Sequence, residues 1–571
     1  MNKWEVAHRL RTMGALLEIR GENSFKVRSY RRAADSIESS DYDLDRLAAE
    51  GRLTDIPGVG KNLEPKVREM IRTGRSSYLE KLVLEIPEGV LDLLKVPGIG
   101  PKMARLLYNS LGVAGLDDLD VALKAHKVRN LPGIGRKREE LMAEGLLEIR
   151  RYAGRVSIGV AYPVVESIVD SLGAKGITAG AVGEVRRGEE TVSTLDILVL
   201  QAGQESPIEL VKRSGILPEV DDSVIQEAWD SDAGRYSFDT GLGVPLWLYF
   251  AGRDLFWSRA LYLTGPLTFL SFFNEQGKDQ GLVLSQSGLL RDGKSVGVPD
   301  EDSLFGAVSL APIPAEVRHR PEFWDASRRK EVPELVSVED LQGDIHLHTV
   351  WSDGTASIEE MVQAAIGVGY SYIAITDHAT EMKMIRGITR ERLSEQLLEI
   401  ENVRAKYPDF RIYSGVEVDI LKDGRLYLPD EDLAKLDVVI ASIHQDIDSG
   451  VDGMNRLIKA AMNPHVDVLG HPTGRLIGRR PGSAVGLDAV LDAAVLSETV
   501  VEINSSPERL DLPEDSVALG SSKGVKFAIC TDAHSPRGLS GIRNGVLACA
   551  RRAGISAKQV VNTLTVLPWM R

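Results

Sequence analysis

Six segments in the last two-fifths of the chain carry side chains of metal-binding type, in nearly every case after a short apolar run: GDIHLHTVWSDG, YIAITDHA, GVEVDI, VVIASIH, VDVLGHPTGR and FAICTDAHS. Helix-like stretches such as residues 357–369 and 391–405 lie between some of these runs. Strands alternating with helices predict a parallel β/α barrel. Active sites of such barrels gather at the C-terminal ends of the strands. That placement converges His346, His348, Asp353, His378, Glu417, His444, His471, Asp532 and His534 on one rim. A lone histidine after a strand is more often a core or capping residue than a ligand. Nine ligand-type residues on one rim instead predict a metal centre, and mixed imidazole and carboxylate donors suit Mn²⁺, Zn²⁺ or Fe²⁺ better than Mg²⁺. Seven of the ten histidines lie beyond residue 340; one of them, His465, fits no such pattern and reads as a surface histidine.

A chain of 571 residues exceeds what one core can organise, so several domains are expected. The N-terminal MNKWEVAHRLRTMG lacks the apolar core of a signal peptide, no long apolar run suits a membrane, and cysteine occurs only at 530 and 549. A cytoplasmic, membrane-free monomer is the expectation. The net charge of −15 is uneven: residues 1–155 hold 28 Lys+Arg against 23 Asp+Glu, and the remainder 40 against 60.

The basic front contains three related segments, IPGVGKNLEPKVREM from Ile56, VPGIGPKMARLL from Val96 and LPGIGRKREELM from Leu131. In each, proline ends one helix and two glycines make a tight turn that aims backbone N–H groups outward at the start of the next. Such a turn grips a phosphate without reading sequence. The candidate DNA contacts are Gly58, Gly60, Lys61, Lys66, Gly98, Gly100, Lys102, Gly133, Gly135, Arg136 and Lys137.

These repeats resemble helix-hairpin-helix motifs, and LLEIRGENSFKVRSYRRAADSIES before them resembles the N-terminal domain of bacterial family X DNA polymerases. The resemblance implies a grip on the 5′ side of a DNA gap. In some members a lysine at the position of Lys66 forms a Schiff base with a deoxyribose phosphate, with Lys61 and Arg68 here able to depress its pKa; the residue also reads simply as a phosphate contact.

The resemblance continues through GEVRRGEETVSTLDILVL, LYLTGPLTFL and APIPAEVRHR, which imply a nucleotidyltransferase-like palm with a thumb. Such enzymes hold two metals about 3.5–4 Å apart on three carboxylates. The family pattern Gly-Asp-x-Asp reads Ser193-Thr194-Leu195-Asp196 here, and the third family aspartate aligns with Pro245. Glu184 replaces the serine that meets the triphosphate, and Thr264-Gly265-Pro266 replaces Thr-Gly-Ser, while Arg186 and Arg187 remain. Thr194 cannot supply a bridging charge. The expectation is a vestigial site at Arg186, Arg187, Thr194, Asp196 and Pro245, unless Glu189, Glu190 or Asp239 substitutes.

The rear resembles the PHP domain, named for polymerase and histidinol phosphatase, at every one of the nine ligand positions. It implies up to three divalent ions, with Glu417 as a bridge and Asp532 and His534 in the catalytic set; by residue type alone, Arg475 or Arg509 is the candidate phosphate clamp. The expected architecture is multidomain. Residues 1–80 form an all-α DNA-binding domain, 81–154 helix-hairpin-helix fingers, 155–320 an inactive α+β palm and thumb, 321–341 a linker, and 342–571 a distorted TIM-like α/β PHP barrel. The function expected is a DNA repair protein that hydrolyses phosphodiesters of gapped or nicked DNA as a 3′→5′ exonuclease, with abasic-site endonuclease action as a further activity the resemblance implies. Two alternatives are an active polymerase with a proofreading nuclease, and a small-molecule phosphatase of the histidinol type.

Overall fold

A computed structural model describes residues 3–38, 44–201, 206–214, 228–230, 234–382, 385–445, 451–483 and 486–569. It divides into two compact units, one formed by residues 1–153 with 478–481 and the other by residues 154–477 and 482–571.

The front unit is all α. Its helices Lys3–Arg20 and Ser24–Glu38 pack on Glu64–Thr73, Ser77–Glu85, Pro101–Leu111, Leu116–Lys124 and Arg136–Arg151 around one apolar core that runs from Val6 to Leu146. That core crosses residue 80 without a break.

The second unit begins with a mixed five-stranded sheet. The central strands Leu195–Gln201 and Pro245–Gly252 run parallel, and Ala179–Ala181, Arg235–Asp239 and Trp229–Asp230 complete it. A thumb of helices Phe256–Thr264, Leu267–Gly277 and Glu301–Ala307 with a small antiparallel sheet follows. Residues 321–341, expected as a linker, contain the helix Pro321–Arg329, whose Phe323 is buried in the thumb core.

The last part is a nearly closed parallel barrel. Its strands Gly343–Asp344, Tyr372–Ile375, Arg411–Asp419, Val438–Ser442, Val468–Leu469, Val500–Asn504 and Phe527–Cys530 pair in chain order, and His378–Ala379 pairs with Arg411–Asp419. A parallel bridge between Leu347 and Ala533 joins first to last. Both faces of these strands are buried, which is why they read as continuous apolar runs. No helix among the described residues is long and apolar enough to cross a membrane.

Candidate metal centre and nucleic-acid interface

Most of the candidate ligands lie at or just beyond the ends of barrel strands. His346 and His348 lie beyond Gly343–Asp344 on either side of Leu347, whose bridge to Ala533 keeps this stretch in the barrel, and both rings face Glu417. His378 opens its own short strand, Glu417 sits inside Arg411–Asp419, and His444, His471, Asp532 and His534 follow the ends of later strands. Two of these residues hold the left-handed backbone that side chains other than glycine avoid, Asp532 at φ 57° and His471 at φ 25°. Such outliers persist only where surrounding structure enforces them.

Glu417 is the hub and is fully buried. Its Oε1 lies 2.9 Å from His471 Nε2 and 3.1 Å from His444 Nε2; its Oε2 lies 2.7 Å from His378 Nδ1, 3.4 Å from His346 Nε2 and 3.6 Å from His348 Nε2. Asp532 Oδ1 is 3.0 Å from His348 Nε2, and Asp353 Oδ1 is 3.3 Å from His534 Nε2 and 3.6 Å from His378 Nε2. Three groups offer donor atoms mutually within 4.8 Å: His348, Asp353, His378 and His534; His346, His348 and Glu417; His378, Glu417 and His444.

Burial acts against the charge on Glu417, yet the imidazoles of His444, His378 and His346 hold its carboxyl well below the ordinary range. The same crowding divides the histidines. Burial, aided by neighbouring His378, takes His348 down to about 3. Burial also opposes charge on His444, but Glu417 and Asp419 carry it up to about 10. So many buried ionisable groups are costly unless paired or bound to cations. His346 Nε2 and Glu417 Oε2 are buried without a well-formed hydrogen bond, the condition of donor atoms facing an ion. The donor set fits divalent metal.

Behind these residues stands a layer of carboxylates that sequence reasoning missed. Glu502 accepts from His346 Nδ1 at 2.6 Å and from the His471 N–H at 2.5 Å, and Asp419 faces His444 Nδ1 at 2.6 Å. Asp377 accepts from Thr349 and Ser352, fixing the loop that carries Asp353. Partners of this kind set ring orientation and tautomer. Asp419 was detectable, since it lies two residues after Glu417 on one strand, where side chains share a face.

In the front unit, the three repeated turns share one geometry. The N–H groups of Val59, Ile99 and Ile134 donate back to Ile56, Val96 and Leu131 at 3.0, 3.0 and 3.1 Å. Gly58 needs its glycine, with φ 91° and a position where an added Cβ would sit 2.6 Å from the Ala33 backbone nitrogen. Gly100 and Gly135 have ordinary extended backbone, and an added Cβ would meet no protein atom within 4 Å. Each is the N-cap of its helix, and no side chain caps the helix N–H groups behind it. These are open sites for an approaching anion. Lys66 Nζ donates to the Asn62 carbonyl at 2.7 Å and stands 4.6 Å from the centre of the Tyr78 ring.

Known proteins match the chain along nearly its whole length. Family models for a helix-hairpin-helix domain, a SAM-like helix-hairpin-helix tandem and a PHP domain match residues 1–76, 90–146 and 344–482. The DNA polymerase/3′-5′ exonuclease PolX of Bacillus subtilis is 35% identical over 567 residues, covering 98% of this chain and 97% of the relative. The chain belongs to the family X DNA polymerases with a C-terminal PHP domain. Probable phosphatases from Caldanaerobacter subterraneus and Thermoanaerobacter are similar to part of it, 32% and 31% identical over 34% and 38% of this chain and 75% and 89% of their own.

In this family X chain the palm site is closed on itself. Burial pushes Asp196 up to about 6, and the Thr194 hydroxyl donates to its Oδ2 at 2.5 Å. Glu184 accepts from Ser193 and from Arg155. Arg186 is paired with Glu301, and Arg187 with Glu189 and the Thr264 carbonyl. Of the carboxylates that could substitute, Glu189 is thus engaged, Glu190 pairs with Arg475 at 2.8 Å, and Asp239 lies across the sheet from Pro245 and caps Gly241. Every metal-sized cluster of three or more donors among the described residues lies in the PHP part.

Arg475 is placed differently from its expected role as a phosphate clamp. It is buried, and its guanidinium donates to the carbonyls of Arg509 and Leu510 and pairs with Glu190, which leaves no free edge for phosphate. Arg509, with Nε 3.6 Å from Asp532 Oδ2, is the arginine at the cluster.

Proposed function

We propose that this chain is a DNA repair nuclease: it grips gapped or nicked DNA with its front hairpins, removes nucleotides in the 3′→5′ direction at the PHP centre, and does not extend primers. The observation that carries the reading is the Glu417 hub, where five imidazoles meet one buried carboxylate. The similar Bacillus subtilis protein is named both polymerase and 3′-5′ exonuclease. The contrast between a donor-rich PHP centre and a palm reduced to Asp196 favours the second activity here. The working parts are taken as residues 1–80 and 81–154 for DNA, 155–320 as an inactive palm, and 342–571 as the nuclease.

The residues that would hold metal are His346, His348, Asp353, His378, Glu417, His444, His471, Asp532 and His534, with Mn²⁺ or Zn²⁺ as the favoured ions. Such ions, when bound, acidify water and neutralise charge on phosphate. Around them, Glu417 orients the five histidines, Glu502 and Asp419 hold the His346 and His444 rings, and Arg509 reaches a phosphate oxygen beside Asp532 as a charge-assisted donor. His534 lies at the more exposed edge beside Asp353, where it would complete the ligand set. Lys66, resting on Tyr78, is assigned a phosphate contact rather than lyase chemistry.

The test uses a duplex with a one-nucleotide gap, labelled at the 5′ end of the primer, in Mn²⁺. The wild type shortens the primer and Asp532→Ala reduces the rate at least about a thousandfold, in line with the loss of a group that acts as part of a unit. Shortening that persists in Asp532→Ala sinks the PHP assignment. Brisk hydrolysis of a phosphate monoester with no attack on DNA supports the small-molecule alternative, which the similarity to probable phosphatases motivates.

A further inference from the structure

The palm loop 183–190 corresponds to the family motif that meets a nucleotide triphosphate, and here it faces the PHP barrel. Gly188 packs so closely that an added Cβ would sit 2.9 Å from the Leu547 carbonyl oxygen. Arg552 donates to the Arg187 carbonyl at 2.9 Å while its Nε pairs with Glu514 of the barrel. At the end of the loop, Glu190 Oε2 meets Arg475 Nη1 at 2.8 Å.

Arg475 in turn ties two barrel loops together. It lies four residues after His471, and its other nitrogens donate to the carbonyls of Arg509, at 2.6 Å, and Leu510. Asp511 secures the same junction from the opposite side, accepting from the Thr473 hydroxyl at 2.8 Å and the Gly474 N–H at 2.8 Å. Leu510 is held at φ 48°, so this loop does not rest in a relaxed conformation. On it rides Arg509, whose side chain reaches Asp532. The buried guanidinium of Arg475 needs a nearby negative charge, and Glu190 supplies one from outside the barrel.

We infer that Glu190 is a positioning residue for the nuclease: through Arg475 it fixes the 509–511 loop, and so the reach of Arg509 to the phosphate beside Asp532. The inactive palm is then a brace of the PHP site. This inference rests on the nuclease reading above. Loss of Glu190 leaves metal ligands in place and loosens one phosphate contact, so it lowers turnover more than it changes DNA binding, which the front hairpins govern.

The experiment compares full-length wild type with Glu190→Gln, Glu190→Asp, Arg509→Ala and the Glu190→Gln/Arg509→Ala double variant, with Asp532→Ala as control. Each is assayed for kcat and KM on the gapped duplex in Mn²⁺ and for melting temperature. Glu190→Gln is expected to lower kcat about tenfold with KM unchanged, since a misplacement of about 1 Å can cost about 10²-fold and the loosened loop shifts Arg509 by less. Glu190→Asp restores most of it. Arg509→Ala lowers kcat further, and adding Glu190→Gln to it costs nothing more, because both act through one group. Unchanged kcat in Glu190→Gln, a loss confined to melting temperature, or losses that multiply in the double variant would each overturn the inference. Full activity in Asp532→Ala would instead remove the nuclease reading beneath it, so the two failures are distinguishable.

Discussion

Glu417 carries two oxygens for five imidazoles, and its neighbours are orientated by carboxylates one layer further out. Glu502 is the clearest case, since a single carboxylate secures both the His346 ring and the His471 backbone. Glu502→Gln is expected to weaken Mn²⁺ or Zn²⁺ binding about 10- to 100-fold, read by calorimetric titration, with the far-ultraviolet dichroism unchanged. Affinity equal to wild type would show that the ring is held by the strand alone. Asp196 offers a prediction of opposite kind. Its folded pKa of about 6 lies above the ordinary 3.8, so the folded chain holds the proton more tightly. Its contribution is therefore most favourable below pH 4 and is lost as pH rises through about 6. Asp196→Asn should then be more stable than wild type at pH 7.5, by an unfolding free energy on the order of 2–3 kcal/mol, and match it near pH 4. A variant less stable at pH 7.5 would mean that the carboxylate is doing necessary work in the palm.

At the scale of the element, the hairpins separate glycines that the fold needs from glycines that a ligand needs. Gly58→Ala is expected to cost about 2 kcal/mol or more, because φ 91° and the Ala33 backbone both oppose a Cβ. Gly135→Ala meets neither obstacle and should leave the melting temperature within about 2 °C of wild type while lowering affinity for gapped DNA, measured by fluorescence anisotropy. Unaltered affinity would make Gly135 a mere turn. This level is also where sequence legibility changes. Periodic apolar runs ending in His, Asp or Glu announced the barrel strands, and the repeated Pro-Gly-x-Gly announced the hairpins, because both patterns are set by local backbone geometry. Glu502, Asp377 and the Arg475 contacts were not legible. Each depends on which strand lies beside which, and a buried arginine looks in sequence like any arginine near a phosphate site.

For the whole molecule, labour is divided in the proposed reading between a basic front that binds and an acidic rear that cuts. If Lys61, Lys102 and Arg136 each neutralise one phosphate, binding of the full chain to gapped DNA should weaken about 40-fold between 50 and 200 mM salt. A nearly salt-independent affinity would argue that the hairpins are only structural. The central claim is that the chain shortens primers and does not lengthen them. It is tested most directly by incubating wild type and Asp532→Ala with a labelled gapped duplex, Mn²⁺ and all four deoxynucleoside triphosphates, and resolving primer lengths. Shortened primer with the wild type and unchanged primer with Asp532→Ala are expected; primer lengthened by one or more nucleotides in both would show a working polymerase.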